Sequence, residues 1–179
     1  MIQEASAVSL FESKLGWFAL AGRAGRVTWC SFGHRSRTAA WQLARRALGA
    51  DAGVRDWNPS LRKRLLEYSA GRRGSFEDVD LDLDRVPQFH RAVLQACREI
   101  PYGATQTYRE LAAAAGRATA VRAAGTAMAR NPFPILVPCH RVLRSDGKLG
   151  GYSAPTGVSL KERLLRMESL RPGSTRLNS

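Results

Sequence analysis

A thiol, an imidazole and a guanidinium follow one another at Cys139-His140-Arg141, directly after the apolar run Ile135–Val137 and Pro138. The apolar run predicts a short buried strand or extended segment, and Pro138 would end its regular pairing. A cysteine beside cationic groups can have its thiolate stabilised, and the thiolate is the form that attacks carbon. The alternative is that Cys139 is a small buried hydrophobe, as free cysteines commonly are.

A carboxylate near the end of the chain offers a partner for His140. Leu160, Leu164 and Glu168 recur every fourth residue, so they share one face of a predicted helix. A carboxylate on an apolar face needs a partner, because burying it alone is costly. We therefore predict a relay in which Glu168 orients His140 and His140 draws the proton from Cys139. The alternative is a frayed helix end at which Glu168 meets only water.

The second half of the chain is predicted to be mostly helical. Asn131-Pro132 ends one helix sharply, because the residue before a proline disfavours helical geometry. Two short helices around Gly116, followed by extended segments, are typical of a winged helix-turn-helix. The predicted helices are Gln88–Arg98, Thr107–Ala115, Ala118–Ala129 and one that begins near Val158.

The first half predicts an α+β unit, which we separate from the second half at Asp84–Pro87. This boundary gives two domains, 1–86 and 87–179. Strict alternation at Val79–Asp84 predicts a strand with one acidic, solvated face, whereas a metal site there is the weaker interpretation. The other predicted elements are strands at Trp17–Ala21 and Val27–Phe32 and helices at Arg37–Leu48 and Pro59–Gly71.

Composition limits the classes of function. The 179 residues are 44% hydrophobic, which predicts a packed core, and no apolar run is long enough for a membrane span or a signal peptide. Three cysteines far apart favour a reducing cytosol over a disulfide framework. The net charge of +13, concentrated in the second half, favours a polyanion such as DNA or RNA. A basic surface without such a partner remains the alternative.

Two further segments have features of a binding surface. Around Arg122 the predicted helix has only small residues, so it could approach a DNA groove and project Arg122 into it, or pack closely on another helix. The loop Gly147–Ser153 lacks the spacing of a phosphate-binding loop. Its Tyr152 and Ser153 would offer an aromatic wall and a hydroxyl to a planar heterocycle, or form an ordinary turn.

Five motifs in chain order give the sequence a strong resemblance to the methylated-DNA–protein-cysteine alkyltransferases, which repair O6-alkylguanine. The resemblance extends over residues 88–169, and the first half is similar to the family's N-terminal domain only in the order of its elements. The motifs are Tyr108, Val121-Arg-Ala-Ala-Gly125, Asn131-Pro-x-Pro-Ile-Leu-Val-Pro-Cys-His-Arg-Val142, Gly150-Gly-Tyr-Ser153 and Leu164-Leu-x-x-Glu168.

The resemblance implies an α/β fold with an N-terminal ribonuclease-H-like α+β domain and a C-terminal winged helix-turn-helix domain. It implies direct reversal of damage: O6-alkylguanine, with O4-alkylthymine left open, is flipped out of double-stranded DNA from the minor groove. The alkyl group then passes to Cys139, and each molecule reacts once. We expect no metal, no cofactor and no membrane partner, a monomer with cooperativity on DNA left open, and a cytoplasmic, nucleoid-associated location.

The resemblance also assigns roles to residues that carry the chemistry. Cys139 is the implied alkyl acceptor, His140 its base through a bound water, and Glu168 the group that orients His140. Asn131 is the implied hinge between the recognition helix and the active-site segment. Tyr108 would crowd the target phosphate, contact the guanine ring and protonate the departing base.

Other residues would bind the base and the DNA. Arg122 is the implied finger that fills the gap left by the flipped base. Ser153 would meet the O6 side, the Val142 carbonyl would accept from the exocyclic amine, and Tyr152 and Pro134 would form pocket walls. The small residues that let the helix approach the minor groove are Ala123, Ala124 and Gly125.

The chain departs from the family pattern at two places. Cys30, His34 and His90 do not form the zinc-ligand cluster that some members carry, and Ala154-Pro155 replaces glycines after the pocket tyrosine and serine. The other classes we considered are a lesion-binding protein that lacks the acceptor cysteine, a winged-helix regulator with Cys139 as redox sensor, and a cysteine hydrolase. The last would need an oxyanion hole that the sequence does not show.

Overall fold

A four-stranded sheet organises the first half of the molecule. The computed structural model describes residues 6–152, 154–155 and 157–169. The strands are β1 Ala7–Ser13, β2 Gly16–Arg23, β3 Arg26–His34 and β4 Gly53–Val54. The first three pair antiparallel in chain order, and the short β4 adds parallel to β1, giving the order β3-β2-β1-β4. Of these strands, β2 and β3 were predicted from the sequence, whereas β1 and β4 were not.

Two capped helices pack with this sheet as predicted. Helix α1 (Arg37–Leu48) begins after Ser36, whose hydroxyl accepts from the Ala39 amide at 3.1 Å, and ends at Gly49 with a positive φ of 94°. Helix α2 (Pro59–Ser69) is capped by the Asn58 side chain. The small face of α1 covers one side of the sheet, and α2 contributes to the main core on the other.

The predicted acidic strand at Val79–Asp84 is wrong. Only Leu81 bridges to the sheet, beside Val27, with backbone hydrogen bonds from the flanking residues. The acidic side is solvated in part: Asp80 and Asp84 are exposed, whereas Asp82 is half-buried and pairs with Arg23 at 3.3 Å and with Arg26 at 2.8 Å. This segment is held by ion pairs to the β2–β3 hairpin instead of by a strand ladder.

Short helices dominate the second half. A capping box at Thr107 and Glu110 starts α4, and α3, α4 and α5 pack on one another. The two strands β5 and β6 pair parallel beside them. The elements are α3 Gln88–Arg98, β5 Gln106–Thr107, α4 Tyr108–Ala114, α5 Val121–Ala129, β6 Val142–Leu143 and α6 Val158–Ser169.

The segment before Cys139 is a buried turn, which corrects the predicted strand or extended segment at Ile135–Val137. Pro134 and Val137 bridge each other, and the Val137 amide donates to the Phe133 carbonyl at 2.7 Å. Ile135 takes a φ of 73°, which is strained for a β-branched residue. The apolar side chains are buried as expected, but prolines on both sides allow a turn and prevent a ladder.

Both halves contribute to one continuous core. Phe18 and Leu65 from the first half share it with Leu111 and Leu164 from the second. Cys97 is fully buried in the same core, as its position on α3 predicted. Of the helices in the described part of the chain, none combines the length and apolar character that crossing a membrane requires.

The close packing of Trp57 against Gly22 can be tested by substitution. A Cβ built there would lie 2.2 Å from ring atoms of Trp57, whose indole nitrogen donates to the Leu20 carbonyl at 2.9 Å. Gly22→Ala should therefore lower the free energy of unfolding by about 1–3 kcal/mol in urea denaturation. Gly53→Ala, where a Cβ meets nothing within 4 Å, is the matched control. Equal stability of the two variants would contradict this packing.

Candidate active site

Cys139 begins a 3₁₀ turn, Cys139–Arg141, that joins the buried turn to β6. Its side chain is buried, with 6% of the residue exposed. Asn131 fixes the approach to the turn: its side-chain amide donates to the Val137 carbonyl at 2.9 Å, and its oxygen accepts from the Phe133 amide at 2.9 Å. Asn131 thus connects the end of α5 to the segment that carries the thiol, as a hinge residue would.

A buried carboxylate lies at the centre of the site. Oε1 of Glu168 accepts from His140 Nε2 at 2.9 Å, from an Arg141 Nη2 at 2.9 Å and from the Tyr68 hydroxyl at 2.6 Å. Oε2 accepts from Arg141 Nε at 2.9 Å and from the Gly103 amide at 3.2 Å. Burial alone would raise the pKa of Glu168, but the bonds from His140 and Arg141 hold it well below its usual range.

One ring nitrogen of His140 is hydrogen-bonded to Glu168, and the other has no hydrogen-bond partner among the described residues. Hydrogen-bond geometry assigns the proton to Nε2, because that nitrogen faces the Glu168 carboxylate. Nδ1 is buried and has no hydrogen-bond partner among the described residues. Burial lowers the pKa of His140 despite the opposing effect of Glu168, so the resting imidazole is neutral and can accept a proton at Nδ1.

The resting thiol is also neutral. Burial raises the pKa of Cys139, while Asn131, the Lys161 ammonium and the Tyr152 hydroxyl each act to lower it. A nucleophilic attack by this sulfur therefore needs a proton transfer to a base. The adjacent residue, His140, has a neutral imidazole, which is a group of the kind that can accept such a proton.

Lys161 is a buried cation at the site that the sequence analysis missed. Its ammonium donates to the Val142 carbonyl at 2.6 Å and to the Leu149 carbonyl, and it lies 5.9 Å from the centre of the Tyr108 ring. Burial lowers its pKa, and the nearby thiol opposes that change. Its position seven residues before Glu168 was the available signal, because that spacing places both on one face of α6.

Tyr68 and Arg141 were also missed as partners of the carboxylate. Tyr68 follows Leu61 and Leu65 at helical spacing and was interpreted as part of an apolar stripe. Its ring is indeed in the core, but its hydroxyl reaches the site. Contacts between residues so far apart in the chain leave no local signal in the sequence.

Cys139 lies between two cavities. The first, of about 340 Å³, lies beside α5, and the second, of about 240 Å³, lies between the turn and the β3–α1 region. Described residues lining the first are Tyr108, Gly125, Met128, Ala129, Cys139, Gly151 and Tyr152. The residues that line the second cavity include Trp29, Phe32, Leu43, Pro134, Cys139, Tyr152 and Ala154.

The predicted DNA-facing residues divide into exposed and buried groups. Arg122 is exposed on α5, and nothing lies within 4 Å of a Cβ built on Gly125. Ala123 is half-buried, whereas Ala124 is fully buried and packs in the core. Ala124 is therefore removed from the predicted contact set, because its side chain does not reach the outer face of the helix.

The remaining predicted residues are placed as follows. Tyr108, Pro134 and Tyr152 line the cavities, and the Val142 carbonyl accepts from Lys161. Ser153 lies outside the described residues. Among the described residues, no three His, Cys, Asp or Glu side chains are grouped as metal ligands would be.

Known proteins share this fold and these motifs. The family profile described as "6-O-methylguanine DNA methyltransferase, DNA binding domain" matches residues 88–170. The structure of the Mycobacterium tuberculosis O6-methylguanine methyltransferase is 34% identical, with a TM-score of 0.76 over 95% of this chain and 96% of that one. A second structure of the M. tuberculosis protein, titled as OGT in complex with DNA, has a TM-score of 0.75 at 34% identity over 91% of this chain and 92% of that one.

Curated relatives agree over a shorter length. The methylated-DNA–protein-cysteine methyltransferase of Methanosarcina barkeri is 45% identical over 109 residues, which are 59% of this chain and 65% of the relative. The Methanothermobacter thermautotrophicus relative of the same name is 44% identical over 116 residues, which are 63% of this chain and 64% of that protein. The chain thus spans slightly less than two thirds of the length of these relatives.

The fold and the site together define a mixed α/β protein with a buried cysteine beside an imidazole–carboxylate pair. The similarity to solved structures extends over nearly the whole of both chains, and the matched segment contains the thiol and its partners. The chain belongs to the O6-methylguanine DNA methyltransferase family.

Removing the buried ammonium should change the acidity of the thiol. In Lys161→Met, the pH at which iodoacetamide alkylates Cys139 at half its maximal rate should rise by about one unit or more, because the cation that stabilises the thiolate is lost. Peptide mass mapping follows the rate at Cys139 itself. Lys148→Met removes an exposed lysine and should leave the midpoint unchanged. An unchanged midpoint in Lys161→Met would contradict the assigned role.

Proposed function

We propose that this protein repairs O6-alkylguanine in double-stranded DNA by transferring the alkyl group to Cys139, once per molecule. The observation that carries the proposal is the position of Cys139: the thiol lines a cavity beside α5 that also contains Tyr108 and Tyr152. The neutral base His140 stands next to it, held by Glu168. The family membership supports the same chemistry.

The transfer step needs one bond made and one broken. The Cys139 sulfur attacks the alkyl carbon on O6, so a sulfur–carbon bond forms while the carbon–oxygen bond breaks. The thiol proton passes to Nδ1 of His140, directly or through a water, and guanine takes up a proton as it leaves. Tyr108 lines the same cavity, and we assign it the donation of that proton. The product is a thioether, and no group in the described site can expel it, so the protein is consumed.

Electrostatics near the sulfur support this step. The Lys161 ammonium offsets the negative charge that develops on sulfur, and its bonds hold the ends of the segment between Val142 and Leu149. The Val142 carbonyl retains a second lone pair, which the guanine exocyclic amine can use. Pro134, Tyr152 and Ser153 are proposed walls and donors for the base and its alkyl group.

The DNA surface is proposed to be the outer face of α5. Arg122 is exposed there among small residues, and it would fill the gap that the flipped base leaves. The excess positive charge of the second half favours the phosphate backbone. The proposed partner is therefore double-stranded DNA containing the lesion, bound by a monomer in the cytoplasm at the nucleoid, with Ala123 and Gly125 closest to the groove.

The finer architecture is part of the same proposal. Residues 1–86 would be the ribonuclease-H-like domain, and 87–179 the winged helix-turn-helix that holds the acceptor. Helices α4 and α5 with the β5–β6 pair support the second assignment, and the sheet covered by α1 supports the first. The alternative of a redox-sensing regulator is less well supported, because it accounts for neither the imidazole–carboxylate pair nor the family membership.

The acceptor can be identified by mass. After reaction with duplex DNA containing O6-methylguanine, the intact protein should gain one methylene equivalent, and peptide mapping should place it on Cys139. Cys139→Ala should bind the same duplex and transfer nothing, because Cys139 is the only thiol among the described residues that line the cavity beside α5, and Cys30 lines the second cavity instead. Cys97→Ala, which changes a core cysteine, is the matched control and should still react. Methylation elsewhere, or repair by Cys139→Ala, would exclude the proposal.

The role of Arg122 is separable from the chemistry. Arg122→Ala should slow single-turnover transfer from duplex DNA by about tenfold or more, because a flipped base costs a few kcal/mol to hold without a residue in the gap. The effect should be small on a single strand, which has no pair to open. Arg130→Ala, an exposed arginine at the end of the same helix, is the control. Equal slowing on both substrates would show that Arg122 acts elsewhere.

A further inference from the structure

Tyr68 brings a hydroxyl from the first half of the chain into the active site. It lies on α2, and its ring is packed edge-on against Phe76 and Tyr102, with centroid distances of 5.8 and 6.2 Å. The hydroxyl donates to Oε1 of Glu168 at 2.6 Å and lies 3.2 Å from Nε2 of His140. It therefore contacts both members of the imidazole–carboxylate pair.

The direction of these bonds follows from the single proton on the hydroxyl. Burial and the charge of Glu168 raise the pKa of Tyr68 well above its usual value, so the phenol keeps its proton. The shorter contact is to the carboxylate, which receives that proton. The oxygen then presents a lone pair to His140, which requires a proton on Nε2 and leaves Nδ1 free.

We propose that Tyr68 is a positioning residue for alkyl transfer: its hydroxyl shares Oε1 of Glu168 with His140 and so keeps the imidazole neutral and ready to accept the Cys139 proton. A protonated imidazole could not act as that base. The inference rests on the proposed function and gives the first half of the chain a part in the active site. Tyr68 acts through Glu168 and His140, because it is not among the residues given above that line the cavity beside α5.

The sign of the effect follows from the groups around His140. Glu168 on α6 favours the imidazolium, whereas Arg141 in the same turn and Lys161 on α6 oppose it. By donating to the carboxylate at 2.6 Å, Tyr68 weakens the pull of Glu168 on the imidazole, and this effect outweighs the opposite effect of the lone pair that it presents to Nε2 at the longer distance of 3.2 Å. Cys139 is neutral at rest and contributes no charge. Loss of the hydroxyl should therefore raise the pKa of His140.

Tyr68→Phe tests the inference because it removes the hydroxyl and keeps the ring between its aromatic neighbours. The acid limb of the single-turnover rate against pH should move upward by about half a unit or more, which is about a threefold loss of rate below the limb. The pKa of His140, measured by proton NMR titration of the DNA-free protein, should shift in the same direction. Affinity for lesion DNA, measured in a Cys139→Ala background, should not change.

Tyr102→Phe is the matched control. It removes a hydroxyl from the same aromatic cluster, one that donates to the Met167 backbone carbonyl at 3.4 Å, and should leave the pH profile unchanged. Replacement of Tyr68 by 3-fluorotyrosine keeps the ring and strengthens the donor, so it should move the acid limb downward. This second variant tests the sign even if Tyr68→Phe folds poorly.

The outcomes separate this inference from the proposed function. If the wild-type protein places no alkyl group on Cys139, the proposed function fails. If the wild type reacts but Tyr68→Phe and the fluorinated protein both titrate like it, only the role of Tyr68 is overturned. A uniform loss of rate at every pH would likewise overturn it, because that is the result of a purely structural defect.

Discussion

The buried carboxylate of Glu168 is the interaction on which the rest of the site depends. It accepts hydrogen bonds from the turn at Cys139–Arg141, from Gly103 after α3 and from Tyr68 on α2. An uncompensated buried charge would be strongly destabilising, so each donor that satisfies Glu168 also fixes the segment it comes from. One side chain on α6 thus joins segments far apart in the sequence and sets the orientation of the imidazole.

Helix α6 also carries a second buried charge, the ammonium of Lys161. Lys161 donates to the carbonyls of Val142 and Leu149 and acts to lower the pKa of the Cys139 thiol, while Glu168 accepts from the imidazole. In the proposed reaction these two charges have separate tasks: the cation would stabilise charge on sulfur, and the carboxylate would orient the base. Burial favours the neutral form of both the thiol and the imidazole in the DNA-free protein.

Local signals in the sequence predicted most of the helices and the centre of the site. Asn58-Pro59 before α2 and Gly49 after α1 are short-range signals of helix ends, and the structure has both helices at these places. The alternation at Val79–Asp84 failed, because arginines distant in the sequence, which no local pattern shows, bind its carboxylates. Similarly, the apolar run before Cys139 predicted burial correctly and conformation wrongly, since apolar character does not distinguish a buried turn from a strand.

The difference between local and long-range contacts also explains which site residues could be predicted from the sequence. Cys139, His140 and Glu168 were predicted from adjacency, helical spacing and resemblance, and the structure brings them together. Tyr68 was assigned only to the apolar stripe of its own helix and Lys161 received no role, because the partners of both residues lie in other elements. Ala124 was misassigned because small residues on a helix serve equally for DNA approach and for core packing.

In the DNA-free protein the His140 imidazole is neutral, protonated at Nε2 and unprotonated at Nδ1, next to a neutral buried thiol. Nitrogen-15 NMR of the His140 ring in the wild-type, DNA-free protein at neutral pH would test this protonation state. We expect one protonated and one unprotonated ring nitrogen, with the proton on Nε2 and a pKa below the ordinary value of 6.5. Two protonated nitrogens at neutral pH, or a proton on Nδ1 alone, would contradict it.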